Sequence, residues 1–366
     1  MNLIKTALKL VIGAALVAVP VATYLVARQM LDRYELAMTP YKRDPGEVFV
    51  TIEPGTGAAA AVRKLAAHGI VADARVTLAL ATRTGQDRAI RAGEYRFVHP
   101  ATPAEVLGRL VRGDVVLNSV TIPEGLHRYQ VAARVEAAGI GTAEEFLRAT
   151  ASPARVADLD PDADDLEGYL FPDTYALGRH DGAEVLVDAM VAGFRRALGP
   201  EPHARAAAQG LTVRQVVALA SLVEKETARA DERPLVAGVY RERLRRGMLL
   251  QADPTVIYGL IRDGVWDGDL KRKHLRQDHP YNTYVRPGLP PGPIASPGKA
   301  ALDASFAPAD TDYLYFVSKN DGSHVFARSL REHNRNVDVH QRRYWREKWR
   351  KAGGRKKFLE QQQATP

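Results

Sequence analysis

Residues Thr212 to Thr227 carry the strongest chemical signal in the chain. Thr212 and Gln215 have the spacing of a capping box, in which each side chain bonds the other's backbone N–H at a helix start. Val213, Val216, Val217, Leu219, Ala220, Leu222 and Val223 then define one broad apolar helix face. Lys225 points away from that face. Glu226 follows Leu219 by seven residues and Leu222 by four, so it lies along their row. Glu224 lies on the other border, one turn after Ala220. A carboxyl group beside aliphatic side chains loses hydration of its charged form, so its pKa rises and it can donate a proton near neutral pH. Periodicity alone leaves a second reading open, in which Glu224-Lys225-Glu226 is the polar end of a helix.

Downstream residues suit a polar polymer. A second helix is expected to begin at Pro234 and end at Gly247, and Asp253 is placed to cap a third, with Pro254 in its first turn. In Tyr281-Asn282-Thr283-Tyr284 the rings can stack on sugar C–H faces, and the amide can bond hydroxyl and acetamido groups. The proline-rich stretch Gly288 to Pro293 would stiffen the wall of such a cleft. Tyr313 to Val317 is expected to be a core strand whose aromatics pack rather than act. Asp158, Asp160, Asp162, Asp164, Asp165 and Glu167 lack the glycine and glutamate of a calcium loop in either register, so a solvated turn is expected there.

Several chemistries are excluded or disfavoured. Zero cysteine removes disulfide scaffolds, thiolate catalysis and Cys-based zinc sites. Ser296-Pro297-Gly298-Lys299 has the Ser-x-x-Lys pattern without its partner motifs. His274 and His279 lack zinc-protease spacing, and there is no phosphate-binding Gly-x-x-x-x-Gly-Lys loop.

The surrounding elements predict an α+β chain. Val48 to Ile52 forms a strand, Pro54-Gly55 a turn, and Ala58 to Ala67 a helix ended by Gly69. The same order returns seventy residues later. Val50-Thr51-Ile52, Gly55, Ala67 and Gly69-Ile70 align without a gap with Val120-Thr121-Ile122, Gly125, Ala137 and Gly139-Ile140. Between the copies lie the alternating strand Gly93 to Phe97 and a helix start at Thr102-Pro103-Ala104-Glu105. Together these compose a compact βααβ module with no nucleophile–base pair. Ahead of it, the uncharged run Leu10 to Ala27 is just long enough to span a bilayer, which takes ~17–25 residues. An uncleaved N-in, C-out anchor is the expectation, with a cleaved signal peptide as its competitor.

Five stretches carry a family resemblance: Leu166 to Tyr175, Leu219 to Thr227, Leu250 to Gly259, Tyr281 to Tyr284 and Gly288 to Gly298. Their sequences and order are similar to those of the YceG-like endolytic murein transglycosylases, over roughly Val48 to His340. The resemblance implies a membrane anchor (1–34), a LysM-like module (35–118), a mixed α+β catalytic domain (119–340) and, beyond the similarity, a basic tail (341–366). It implies a lyase on nascent peptidoglycan outside the inner membrane. Such an enzyme cuts the MurNAc–GlcNAc β-1,4 bond within a strand and leaves 1,6-anhydro-MurNAc ends, with no metal or cofactor. The family's catalytic glutamate is the second of Glu-x-Glu, here Glu226, with Glu224 supporting. Gln251, Asp253, Tyr281, Asn282 and Tyr284 are then expected to orient the sugar, and a peptidoglycan synthase becomes a plausible partner. A water-using hydrolase with Asp253 as second carboxylate, and a non-catalytic wall-binding scaffold, are the alternatives.

The chain's formal charge of +8 has one address. From Gln341 to Pro366 there are nine Lys or Arg against two Glu, so almost all the excess sits in the tail. A nucleic-acid-binding face on the folded body is therefore not expected. Anionic lipid headgroups or an acidic wall component suit the tail, as does a solvated helical extension without a partner.

Overall fold

The computed structural model describes residues 2–40, 46–179 and 181–352, with only the backbone described at 2–12, 15, 36 and 37. Residues 353–366 of the expected basic tail lie outside the described residues. The chain divides into two compact units, one of residues 1–118 with 178–180, the other of 119–177 with 181–366.

The first unit contains α1 (Asn2–Met38), β1 (Val48–Ile52), α2 (Ala58–Ala67), α3 (Ala74–Arg83), β2 (Gly93–Phe97) and α4 (Pro103–Arg112). β1 and β2 pair antiparallel, with Val50 opposite Tyr95 and Ile52 opposite Gly93. Their inward side chains Val50, Ile52, Tyr95 and Phe97 bury against Ala61 and Leu65 of α2 and Val106 and Leu110 of α4. The capping box at Thr102 and Glu105 forms, with Pro103 in the first turn. Helix α3, not read from the sequence, is capped by Asp73, whose carboxylate accepts the Arg75 and Val76 N–H groups. Helix α1 runs unbroken past Pro20 and leaves Leu16, Val17, Val19 and Leu25 exposed. Among the described residues no helix is long and apolar enough to cross a membrane. The expected span Leu10 to Ala27 lies partly outside the described side chains, at Leu10 to Ile12 and Ala15.

β3 (Leu117–Ile122) enters the second unit. There follow α5 (Arg128–Ala137), α6 (Ala143–Ala149), β4 (Asp173–Gly178), α7 (Ala183–Leu198), α8 (Pro202–Ala207), α9 (Val213–Glu226), α10 (Arg233–Arg245), α11 (Asp253–Arg262), α12 (Lys299–Phe306), β5 (Tyr315–Ser318), β6 (His324–Ala327), α13 (Leu330–Val337) and α14 (Tyr344–Lys351). The duplicated segment recurs as strand, turn and two helices, β1-α2-α3 and β3-α5-α6, with one copy in each unit. Both copies hold their glycines left-handed: Gly55 and Gly125 at φ 80° and 75°, Gly69 and Gly139 at 70° and 69°. Only glycine takes that conformation without strain, so the identities at these positions preserve the two turns.

Helix α9 is the spine of the second unit. Its capping box at Thr212 and Gln215 forms. The apolar face read from the sequence is fully buried, and α9 packs against α10 and α12.

The acidic cluster is not the solvated turn that its composition suggested. Asp160 is 2% exposed; it accepts the Tyr169 hydroxyl at 2.6 Å and pairs with Arg214 at 3.1 Å. Asp165 pairs with Arg128 and lies near Arg262. Glu167 accepts the Arg128 backbone N–H at 3.0 Å and the Tyr258 hydroxyl at 3.1 Å, and burial pushes its carboxyl up to about 7. Three arginines remote in sequence make this acidic stretch a buried polar joint. Only Asp158, Asp162 and Asp164 stay exposed.

Candidate active site

Glu226 is the last residue of α9 and opens onto a cavity of about 390 Å³. Its Oε1 accepts the hydroxyl of Tyr240, from α10, at 2.8 Å. Burial raises the Glu226 pKa, and the charge of Asp253 acts the same way. The Tyr240 bond and the nearby His324 and Arg243 side chains oppose the rise without cancelling it. Burial and the neighbouring carboxyl push Tyr240 itself well above the usual tyrosine range, so it remains a donor wherever Glu226 titrates. The site thus holds a carboxyl group that keeps its proton further toward neutrality than an ordinary one.

Tyr240 and Arg243, from α10, form one wall with Glu226; Leu250, Gln251, Asp253 and Pro254 form a second. Tyr284, Tyr315, Phe316 and the α13 residues Leu330, His333 and Asn334 complete the lining. Gln251 holds φ 51°, a left-handed backbone at a non-glycine residue, pinned by its N–H bond to the Thr283 carbonyl at 3.0 Å. Strain of this kind persists only where the surroundings enforce it. Here the enforcement includes Ala252 N–H to the Thr283 hydroxyl at 3.0 Å, and that hydroxyl lies 2.9 Å from that of Thr255.

Asp253 does not cap α11 as its position before Pro254 suggested. Ala252 is the cap residue, and no side chain caps the helix. The Asp253 carboxylate instead accepts the Tyr284 hydroxyl at 2.6 Å, which turns it to the cavity wall.

Of the five expected sugar-orienting residues, Gln251, Asp253 and Tyr284 share the cavity with Glu226. Tyr281 and Asn282 do not line it. Tyr281 is 5% exposed; its hydroxyl accepts from Arg262 at 3.2 Å, and its ring meets Tyr258 edge-on in the acidic joint. Asn282 is 1% exposed and clasps its own loop. Its amide donates to the His274 and Gln277 carbonyls, and its carbonyl accepts the Tyr284 N–H at 3.0 Å. It acts on the site only by placing Tyr284.

Glu224 is built in as a brace. It pairs with Arg233 at 3.0 Å and accepts the Gly298 N–H at 3.0 Å. Ser221, one turn earlier, accepts the Ile294 N–H at 3.1 Å. The segment after the proline-rich stretch, Ile294 to Gly298, therefore bonds the last turns of α9, and none of Gly288 to Pro293 lines the Glu226 cavity.

Sequence reasoning missed Tyr240, Arg243 and His333, and took Tyr315 and Phe316 for packing alone. The available signal was Arg243 three residues after Tyr240 and in helical register with the apolar Val236 and Val239.

Tyr240→Phe removes a hydrogen bond that favours ionised Glu226, so the Glu226 pKa should rise further. A reaction that needs the protonated acid is lost as pH rises through that pKa. The alkaline limb of the pH–rate profile should therefore move upward in the variant, at a stability cost of about 1 kcal/mol. An unmoved or downward-shifted limb in rates across pH would show that Glu226 is not the titrating acid.

The sequence matches the YceG-like family over residues 50–339. It is 33% identical over 281 residues to an endolytic murein transglycosylase of Streptococcus pneumoniae (serotype 2, strain D39), covering 69% of this chain and 51% of that protein. Over 171 residues it is 38% identical to an endolytic murein transglycosylase of Bacillus subtilis (strain 168), covering 46% of each. A crystal structure of a YceG-like protein from Listeria monocytogenes superposes with a TM-score of 0.53 at 28% identity, covering 79% of this chain and 98% of that one. The chain spans about half the length of the curated relatives it matches. With the family pattern covering most of its length and the same α+β architecture in a solved relative, the chain belongs to the YceG-like family.

Proposed function

We propose that the chain is an endolytic lytic transglycosylase that cuts peptidoglycan glycan strands at the MurNAc–GlcNAc β-1,4 bond. The observation that carries this is Glu226: one carboxyl group of raised pKa, held by Tyr240, in a cavity large enough for sugar rings. Protonated Glu226 donates its proton to the glycosidic oxygen as the C1–O bond breaks. The resulting carboxylate takes the proton of the muramyl C6 hydroxyl, and O6 bonds to C1 to close the anhydro ring. One group serves as acid and then base, so no water is consumed. Tyr240 keeps the carboxyl group oriented through both steps, and the Asp253–Tyr284 pair contributes a polar wall to the cavity that takes the sugar.

The relatives named endolytic murein transglycosylases support the substrate class. A hydrolase reading has one favouring observation, since Asp253 shares the cavity and could activate water. Mass spectrometry of digested sacculi separates the two. Anhydro ends are expected, and products carrying reducing ends alone would sink the lyase assignment.

In this proposal α1 is the anchor in the inner membrane, on the strength of the Leu10 to Ala27 run and its exposed apolar side chains. The βααβ unit is a LysM-like module that places the enzyme on the wall, and the catalytic unit works outside the membrane. A peptidoglycan synthase as partner and an anionic surface for the tail belong to the same picture.

A further inference from the structure

Arg243 brings to the wall of the Glu226 cavity a charge that, among the described residues, no carboxylate meets at ion-pair distance. It is 9% exposed. Its Nε donates to the Leu314 carbonyl at 2.7 Å, and its Nη1 to those of Leu250 at 2.7 Å and Leu249 at 3.4 Å. All three hydrogen-bond partners are neutral, as is the Tyr315 ring, whose centroid lies 5.1 Å from the guanidinium carbon. Among the described residues no carboxylate lies within ion-pair distance of its guanidinium, and Nη2 donates to nothing. The other largely buried arginines of this unit differ: Arg128, Arg214 and Arg233 each meet a carboxylate, Asp165, Asp160 and Glu224 respectively.

An isolated buried cation is costly, and such groups are normally paired. Arginine also keeps its proton where lysine would shed it, so burial does not relieve this cost by neutralising the group. The cavity's own carboxyl groups are already engaged. Glu226 accepts from Tyr240 and must be neutral to act as an acid, while Asp253 accepts from Tyr284. Neither reaches the guanidinium, so a carboxylate arriving with the substrate would be the first to pair with it directly. The three carbonyl bonds fix the guanidinium plane, which leaves Nη2 as a directed donor for it. In a glycan of acetamido sugars the backbone is neutral. The carboxylates hang from the lactyl arm of the muramyl residue.

We infer that Arg243 is a subsite for a carboxylate carried on the muramyl lactyl arm, either at its own end or on the stem peptide attached to it. This subsite presupposes the glycan cleavage proposed above. It predicts that the enzyme reads the charge of the arm as well as the sugar chain.

The test uses the full chain and four substrates: stem-bearing strands, the same strands with carboxylates amidated, amidase-stripped strands with free lactyl carboxylates, and stripped strands amidated. Release of anhydro ends is followed by mass spectrometry. Amidation is expected to lower kcat/KM by about ten- to a hundredfold in the pair that carries the recognised group. A fall in the stem-bearing pair assigns the stem peptide, and a fall in the stripped pair assigns the lactyl group. In Arg243→Met the ratio between charged and amidated substrate should approach one, with Arg243→Lys between, each checked for folding by its melting temperature. Should a variant fail to fold, the wild-type comparison decides alone. Equal rates within both pairs overturn the subsite, as does a wild-type ratio in folded Arg243→Met. A shifted pH profile with that ratio intact also overturns it, and makes Arg243 an electrostatic partner of Glu226 instead. No cleavage of any of the four substrates would sink the glycan-cleavage proposal, and the subsite with it.

Discussion

Glu226→Gln is expected to lower the release of anhydro ends from purified sacculi by ~10²–10⁴-fold, the range in which a positioned proton-transfer group contributes. The upper end is the natural expectation, because the same carboxyl group serves both proton transfers and its loss removes both. Glutamine keeps the shape of the side chain and an oxygen for the Tyr240 hydroxyl, so the helix end and the cavity wall should stay in place. A melting temperature close to wild type is therefore part of the prediction. Glu224→Gln is the informative companion. It weakens the brace to Arg233 and Gly298 and should cost stability before it costs chemistry. If folded Glu226→Gln cleaves sacculi at close to the wild-type rate, Glu226 is not the acid, and a wall-binding scaffold becomes the better description of this cavity.

The second large effect is on stability. Arg214→Met should destabilise the second unit by about 3–5 kcal/mol, the usual result of stripping one partner from a buried ion pair. Arg214 bonds both carboxylate oxygens of Asp160, at 3.1 and 3.3 Å, and also donates to the carbonyls of Asp162 and Pro291. Without it, buried Asp160 keeps only the Tyr169 hydroxyl as a side-chain partner. For a unit of this size the melting temperature should fall by roughly 10 °C. Adding Asp160→Asn should recover a large part of the loss, since the uncompensated charge goes with it. Asp162→Asn, on an exposed residue of the same stretch, should stay within ~0.5 kcal/mol of wild type. A small effect of Arg214→Met in thermal or denaturant unfolding would return the acidic cluster to a solvated turn.

These two sites differ in how much of them could be read from order alone. The capping box at Thr212, the apolar row of α9 and the place of Glu226 on that row depend on residues within four turns of one another. Helical geometry relates such residues whatever the rest of the chain does. The repeated glycines at 55 and 125, and at 69 and 139, were legible for the same reason, since a left-handed turn is a property of one residue and its neighbours. Asp253 shows where local logic stops. Asp before Pro is a sound helix start, yet the Tyr284 hydroxyl, thirty-one residues away, claims the carboxylate and the cap passes to Ala252. Tyr281, Asn282 and Tyr284 sit within four residues and all suit sugars by type. Only the fold sends the first into the acidic joint, the second into its own loop and the third into the cavity.

By itself the sequence determined what depends on short range: that Val48–Ile52 and Gly93–Phe97 are strands and Ala58–Ala67 a helix, which face of α9 is apolar, where Glu226 lies on it, and that nearly all the excess positive charge sits in the last twenty-six residues. Tertiary structure alone decided which charges are buried and which of them are matched. It set Arg128, Arg214 and Arg262 around an acidic stretch that looked solvated, and it laid Tyr240 beside Glu226. It also left Arg243 on the cavity wall with no carboxylate at ion-pair distance among the described residues. The physical reason is that desolvation and Coulomb energy depend on distances through space, and residues tens of positions apart acquire those distances only when the chain folds.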